Sequence, residues 1–169
     1  MAQPLVGIVM GSDSDLSVMQ EAKRVLDEFK IPSVVTVASA HRTPEKAHKF
    51  AVDAAARGLK VIIAGAGGAA HLAGFIAAAT TLPVIGVPID SSSLNGLDSL
   101  LSTAQMPGGV PVATMAIGKA GAKNAGILAA QIIGAFDTEV AIKLVDYKQN
   151  MAEEVQRKAK AVEELLNLF

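Results

Sequence analysis

Two side chains that can move protons and bind anions follow each other on a short turn, in the sequence SAHRTP (residues 39–44). His41 can accept and donate a proton near neutral pH, and the planar guanidinium of Arg42 matches the oxygens of a phosphate or carboxylate. Thr43 followed by Pro44 is typical of a helix start. The turn is therefore predicted to present a proton carrier beside an anion-binding group, although a lone histidine on a surface turn often has no catalytic role.

A second candidate binding loop is GSDSD (residues 11–15), which follows the apolar run LVGIVM. Free backbone N–H groups, two hydroxyls and the positive end of a helix can together bind a phosphate. Asp15 would repel a phosphate but could accept hydrogen bonds from nearby ribose hydroxyls, and Arg42 would supply the positive charge. The simpler alternative is a turn that ends in a helix N-cap, because serine and aspartate are preferred capping residues.

The loop GAGGAA (residues 65–70) satisfies the G-x-G-x-x-G/A pattern of dinucleotide-binding folds and is followed by His71. Asp90 comes about twenty residues later, as the ribose-binding acid of that pattern does. However, the pattern normally lies in the first βαβ unit, and a chain rich in alanine and glycine matches it easily. Glycines also allow a flat ligand or a packed helix to approach the backbone. A nicotinamide-dependent oxidoreductase is therefore one alternative, and a non-catalytic nucleotide-binding module is another.

Short apolar runs alternate with helical patterns along most of the chain, which indicates a parallel sheet covered on both faces. The predicted fold class is α/β: a three-layer α/β/α, flavodoxin-like doubly wound parallel sheet with a long C-terminal helix. In such sheets ligands bind outside the carboxyl ends of the strands, where the three loops and residues 90–93 are expected to lie. The predicted strands are residues 5–10, 33–38, 60–65, 83–89 and 110–117, and the predicted helices are residues 16–29, 44–56, 70–80, 97–101 and 123–135.

The last part of the chain, residues 138–169, is rich in charge and contains neither glycine nor proline. Its apolar residues recur every three or four positions, as in a long amphipathic helix. They are Val140, Leu144, Tyr147, Met151, Val155, Ala159, Val162 and Leu166. We therefore divide the chain into a single α/β catalytic domain, residues 1–137, and a C-terminal amphipathic helix, residues 138–169. Part of the helix's apolar stripe is predicted to dock on a neighbouring subunit.

The composition argues against several classes of function. With 15 basic and 16 acidic residues the net charge is −1, so neither nucleic acid nor a membrane surface is an expected partner. Cysteine is absent, and His41 and His48 lack the i, i+4 spacing of a helical zinc pair, so no metal site is predicted. Residues 61–89 carry no charge, but glycines and prolines interrupt them, so we predict a buried strand–helix–strand unit. No positively charged region precedes the first apolar run, and we expect a cytoplasmic protein.

Residues 61–135 hold only four charged side chains, which are Asp90, Asp98, Lys119 and Lys123. A monomer of this size cannot hide so much apolar surface. A homo-oligomer is therefore predicted, with helices of the third and fifth units at the subunit interfaces.

Taken together, the motifs of this chain resemble those of the 5-(carboxyamino)imidazole ribonucleotide mutase family of purine biosynthesis. The resemblance runs from about Leu5 to Asp137, and it is carried by MGSDSD (10–15), SAHRTP (39–44), VIIAGAGGAAHLAG (61–74), GVPI (86–89), GLDSLLSTAQMP (96–107) and AIGKAGAKNAGILAAQI (116–132). The GGAAHL form (67–72) resembles the mutase class rather than the related carboxylase class, which uses free carbon dioxide. Ala73 departs from the family, which usually has proline at that position.

The resemblance implies an isomerase that needs neither a cofactor nor a metal. A carboxylate would move from the exocyclic nitrogen to ring carbon 4, giving 5-amino-1-(5-phosphoribosyl)imidazole-4-carboxylate in de novo purine (IMP) biosynthesis. The resemblance also implies a homo-octamer with sites near subunit boundaries. The alternatives are an aminoimidazole ribonucleotide carboxylase that uses free carbon dioxide, and a dinucleotide-binding oxidoreductase.

The resemblance also assigns roles to individual residues. His41 would be the general acid/base, and His71 would lie beside the imidazole of the substrate. Loss of the N-carboxylate needs a proton on nitrogen, and recarboxylation leaves a proton to remove from carbon 4, so one imidazole can serve both steps. The phosphate would meet Arg42, Ser14 and Ser39. The full set of implied substrate-binding residues is Ser12, Ser14, Asp15, Ser39, Ala40, Arg42, Gly67, Gly68 and Leu72.

Overall fold

A computed structural model describes residues 3–91 and 93–166 of the chain. Within these residues, parallel strands form one sheet in the order β2-β1-β3-β4-β5. The strands are β1 (Val6–Met10), β2 (Ser33–Val37), β3 (Val61–Gly67), β4 (Val84–Ile89) and β5 (Ala113–Thr114). This is the flavodoxin-like order, in which the winding of the chain reverses between β1 and β3. The predicted α/β class and doubly wound parallel sheet are confirmed.

Helices cover both faces of the sheet. They are α1 (Leu16–Glu28), α2 (Pro44–Asp53), α3 (Leu72–Ala79), α4 (Leu97–Ala104), α5 (Gly118–Gly134) and α6 (Thr138–Leu166), and a short 3₁₀ turn (Asp13–Asp15) precedes α1. One face of the sheet packs against α1, α5 and the start of α6, and the other packs against α2, α3 and α4. The molecule therefore has the three predicted layers.

The apolar runs become strands because they are buried from both sides. β1 and β4 are buried along their whole length, and successive side chains of a strand point to opposite faces. Ile8 and Ile63 pack on the side of α1 and α5, whereas Val9 and Ile62 pack on the side of α2 and α3. Each fully buried side chain of this kind stabilises the fold by about 1.5–3 kcal/mol. The sheet is thus a rigid base for the loops at its carboxyl edge.

The prediction of a strand over residues 110–117 is wrong, because β5 comprises only Ala113–Thr114. β5 lies at the edge of the sheet and pairs with β4 alone, and Pro111 lacks the N–H that a longer ladder requires. The apolar residues on either side of β5 pack against the hydrophobic cores instead of extending the strand. Val112 contacts the core on one face of the sheet, and Met115 contacts the core on the other.

The prediction that α5 begins near Lys123 is also wrong, because the helix already begins at Gly118. The glycines of this stretch serve close packing rather than a loop. A Cβ on Gly121 would lie 1.6 Å from the carbonyl oxygen of Ala116, and one on Gly126 would lie 2.9 Å from the carbonyl oxygen of Ala22 in α1. α5 therefore packs directly on the α1 backbone.

The long C-terminal helix is confirmed over Thr138–Leu166, and residues 167–169 of the prediction lie outside the described residues. The first turns of α6 dock on their own domain. Val140 is buried, Lys143 Nζ donates a hydrogen bond to the carbonyl oxygen of Phe29 at 3.1 Å, and the ring of Tyr147 lies 5.6 Å from that of Phe29. The rest of the stripe is exposed on this chain, at Met151, Val155, Ala159, Val162 and Leu166. Docking of that part on a neighbouring subunit stays a prediction.

Across residues 3–91 and 93–166, no helix combines the length and the apolar character needed to cross a membrane.

Candidate active site

A cavity of about 270 Å³ opens at the carboxyl edge of the sheet, where the loops after β1, β2 and β3 meet and the end of β4 joins them. It lies at the point where the winding reverses, which is where ligands bind in open α/β sheets. Its lining residues are Gly11, Ser12, Ser14, Asp15, Ser39, Ala40, His41, Arg42, Ala66, Gly67, Ala69, His71, Leu72 and Ser91. All of the sequence-predicted site residues line this cavity except Gly68.

The loop after β1 is ordered by its own side chains. Asp15 accepts a hydrogen bond from the backbone N–H of Ser12 at 3.0 Å, and Ser12 Oγ accepts one from the N–H of Ser14 at 3.4 Å. This reciprocal cap confirms the simpler interpretation of GSDSD as a capping turn. The cap also exposes Ser14 at the cavity, so the capping and binding interpretations are compatible.

Asp15 is buried, and this burial raises the pKa of its carboxyl above the usual value of 3.8. The bond from Ser12 and the positive charge of Arg42 oppose the shift without cancelling it. Burial acts this way because the charged carboxylate loses hydration that the protein only partly replaces. Because burying a carboxylate costs free energy, a buried carboxyl that lines a ligand cavity is a candidate for binding a ligand.

Replacing Asp15 with asparagine should therefore stabilise the unliganded fold at neutral pH relative to the wild type. A carboxyl whose pKa is raised on folding contributes stability below its unfolded pKa and loses it as the pH rises through the folded pKa. Asparagine keeps an oxygen that can accept from Ser12 N–H but does not titrate. The difference in free energy of unfolding between Asp15→Asn and the wild type should grow from pH 4 to pH 7 in urea titrations, and a pH-independent difference would contradict the assignment.

The loop after β2 is held by hydroxyl groups. Ser39 Oγ accepts hydrogen bonds from the backbone N–H groups of His41 at 3.3 Å and Arg42 at 3.2 Å. Its own O–H is then left to donate toward the cavity. Thr43 precedes α2 as predicted, but its hydroxyl bonds to the backbone of Ser39 rather than capping the helix. This loop thereby aims two consecutive side chains at the same cavity.

Arg42 joins the first two loops. Its Nη2 donates a hydrogen bond to the carbonyl oxygen of Gly11 at 3.0 Å. Arg42 lines the cavity together with Ser12 and Ser39, and its remaining donors are available to an anion. The positive charge and the hydroxyls make this end of the cavity suitable for a phosphate.

His41 and His71 meet in the cavity although they come from loops after different strands. His41 Nε2 and His71 Nδ1 lie 2.8 Å apart, and the two rings stand at 80° to each other. One of these two nitrogens must carry a hydrogen and the other must not. While the contact holds, the nitrogens left for a ligand are Nδ1 of His41 and Nε2 of His71.

The contact between the two rings also restricts which of their nitrogens can carry a hydrogen. When His41 carries a second proton, both of its nitrogens are donors, and His71 can accept only as a neutral ring with its hydrogen on Nε2. A neutral His71 in that form accepts a hydrogen bond from His41 and fixes the orientation of its ring. The pair can therefore present one mobile proton to a ligand from His41 Nδ1.

Comparisons with known proteins show which family the chain belongs to. The family model described as AIR carboxylase matches residues 5–154. The chain belongs to the AIR carboxylase family. It is 60% identical to N5-carboxyaminoimidazole ribonucleotide mutase of Pyrococcus horikoshii over 96% of this chain and 91% of that protein. It is 61% identical to the mutase of Bacillus subtilis over 90% of this chain and 94% of that protein. Among solved structures, Treponema denticola PurE matches with a TM-score of 0.82 and 30% identity, covering 91% of this chain and 95% of that chain.

The glycines of GAGGAA have packing roles in this member of the AIR carboxylase family. A Cβ on Gly65 would lie 2.2 Å from Met19 Sδ, and one on Gly67 would lie 1.7 Å from Ser91 Oγ. Gly68 has a φ of +60°, which glycine adopts readily, and it does not line the cavity. Asp90 does not line it either. Close packing and backbone conformation therefore account for the dinucleotide pattern, and a substrate role for Gly68 stays a prediction.

Four cavity residues are absent from the sequence-predicted set: Gly11, Ala66, Ala69 and Ser91. Their only signal in the sequence is their position after a strand, and Gly11, Ala66 and Ala69 have no side-chain functional group. His48, in contrast, is exposed on α2 and does not line the cavity. In the part of the chain that the structure describes, no group of three or more histidine, aspartate or glutamate side chains could hold a metal ion.

Proposed function

We propose that this chain catalyses the mutase reaction named for its relatives, in which the carboxylate of 5-(carboxyamino)imidazole ribonucleotide moves from the exocyclic nitrogen to ring carbon 4. The observation that carries the proposal is the His41–His71 pair beside the anion-binding end of the cavity. A phosphorylated substrate is thereby fixed at one end while its base meets a proton carrier. The place in metabolism is de novo purine biosynthesis, in the cytoplasm.

The phosphate is bound by Arg42 with the hydroxyls of Ser12, Ser14 and Ser39. Asp15 accepts hydrogen bonds from the ribose hydroxyls. Its carboxylate lies at the cavity and is already oriented by Ser12 N–H. These contacts leave the imidazole base directed toward the histidine pair.

His41 performs both proton transfers. It donates a proton to the exocyclic nitrogen as the C–N bond breaks and carbon dioxide forms. Ring carbon 4 then attacks the carbon dioxide, and neutral His41 removes the proton from carbon 4. The base returns to its starting state, so no other proton donor is consumed. Leu72, Ala40 and the small residues of the third loop line the cavity, where they would hold the carbon dioxide near ring carbon 4.

The proposal is tested by following conversion between the N-carboxy and C-carboxy ribonucleotides by absorbance, with and without added bicarbonate. A mutase interconverts the two at a rate that bicarbonate does not change. The family model's description favours a second candidate, an aminoimidazole ribonucleotide carboxylase that uses free carbon dioxide. Conversion of aminoimidazole ribonucleotide that rises with bicarbonate, with no turnover of the N-carboxy compound, would support that candidate instead.

Ligand-binding measurements, combined with the turnover assay, distinguish the mutase from functions of other classes. Tight binding of NAD with no binding of aminoimidazole ribonucleotide would support an oxidoreductase. Ribonucleotide binding without turnover in either direction would support a non-catalytic binding module.

The active form is a homo-oligomer, and we propose an octamer. The exposed apolar side chains on and before α4 support this, because Leu94, Leu97 and Leu101 are each at least 50% exposed on the isolated chain. The exposed half of the α6 stripe supports it as well. Light scattering at micromolar concentration should give a mass several times 17.3 kDa, and a monomeric mass would overturn the proposal.

A further inference from the structure

Ser91 lies at the end of β4 and lines the cavity on the side away from Arg42. Its Oγ lies 1.7 Å from the position that a Cβ on Gly67 would occupy. The hydroxyl therefore rests against the Gly67 backbone, in space that only glycine leaves open. In residues 3–91 and 93–166, Ser91 Oγ has no hydrogen-bond partner, so its O–H is available to a ligand.

The order of the strands places this hydroxyl relative to a bound substrate. Arg42 follows β2, the loop of Ser12 follows β1, His71 follows β3 and Ser91 follows β4. Neighbouring strands are about 4.8 Å apart, so β4 lies roughly 10 Å from β1 across the sheet. A substrate whose phosphate meets Arg42 and whose base meets the histidine pair therefore directs the far side of its base toward Ser91.

We propose that Ser91 binds the migrating carboxylate, an inference that rests on the proposed mutase function. A hydroxyl donates a short, strong hydrogen bond to a carboxylate and a weaker one to neutral carbon dioxide. Ser91 Oγ would thus hold the carboxylate of the substrate and of the product. After the C–N bond breaks, Ser91 would bind the neutral carbon dioxide less strongly, so that the carbon dioxide can turn toward ring carbon 4. The hydroxyl keeps its proton throughout, because His41 carries out both proton transfers.

The proposal predicts a selective loss of affinity in Ser91→Ala. Binding of the C-carboxy ribonucleotide should weaken about tenfold or more, as expected for loss of a hydrogen bond to a charged group. Binding of aminoimidazole ribonucleotide, which has no carboxylate, should not change. Calorimetric titration of both compounds measures the difference directly. Ser93→Ala is the matched control, since Ser93 is exposed two positions away and does not line the cavity.

A second variant moves the hydroxyl without removing it. Gly67→Ala places a methyl group on the position of Ser91 Oγ and should also weaken binding of the carboxylated ribonucleotide more than that of aminoimidazole ribonucleotide. Equal affinities of wild type and Ser91→Ala for the carboxylated compound would overturn the role of Ser91, and so would an equal loss for both compounds. Failure of the wild type to bind either ribonucleotide would instead overturn the proposed function itself.

Discussion

An asparagine in place of His41 should leave folding and substrate binding intact and reduce turnover by about 10,000-fold or more. General acid/base groups contribute roughly 100- to 10,000-fold, and we propose that this one group serves both proton transfers. Asparagine has a similar volume and can form hydrogen bonds, but it cannot carry a proton. The measurement is the rate of interconversion of the two carboxylated ribonucleotides, combined with calorimetric binding of the product.

The other two histidines supply graded controls for this experiment. His48→Asn should change turnover little, because His48 is exposed on α2 and does not line the cavity. His71→Asn should fall between the two, since it removes the ring nitrogen 2.8 Å from His41 Nε2 but leaves the proton carrier in place. If His41→Asn retained more than about a tenth of wild-type turnover, His41 would not be the general acid/base.

The histidine pair shows which part of the site can be predicted from the sequence and which part cannot. Each histidine can be identified from its place after a predicted strand, because polar side chains at the carboxyl ends of parallel strands share one edge of the sheet. Their contact cannot be identified in this way. It depends on β1 lying between β2 and β3, and on a side chain reaching from the loop after β2 to the start of α3. The sequence pattern predicts the shared edge but not the distance across it.

Glycine is the residue type whose role is least visible in the sequence. In GKAGAKNAG the glycines resemble a loop, yet Gly121 and Gly126 lie inside α5, where they allow close packing with Ala116 and Ala22. In GAGGAA they resemble a dinucleotide site, yet Gly65 makes room for Met19 and Gly67 for Ser91. In both stretches the missing side chain leaves room for an atom that lies outside the glycine's own helix or strand. Local patterns therefore assign β1 to β4 well and the glycine-rich segments poorly.

Arg42→Ala should weaken binding of the phosphorylated substrate by about 10- to 150-fold, which corresponds to losing a hydrogen bond of about 1.5–3 kcal/mol to a charged group. Arg42→Lys should lose less, because lysine keeps the positive charge but not the planar pair of donors. Both variants should fold normally, since Arg42 is exposed. Equal and negligible losses in the two variants would remove Arg42 from the site.

Arg42 also donates to the carbonyl oxygen of Gly11, so its loss could weaken binding by loosening the loop after β1 instead. The unphosphorylated riboside of aminoimidazole separates the two effects. If Arg42 binds the phosphate, Arg42→Ala should leave the affinity for the riboside unchanged while lowering that for the ribonucleotide. A loosened loop would weaken both, because we propose that Ser12 and Asp15 in that loop bind the phosphate and the ribose. The ratio of the two affinities, measured for wild type, Arg42→Ala and Arg42→Lys, therefore reports the phosphate contact alone.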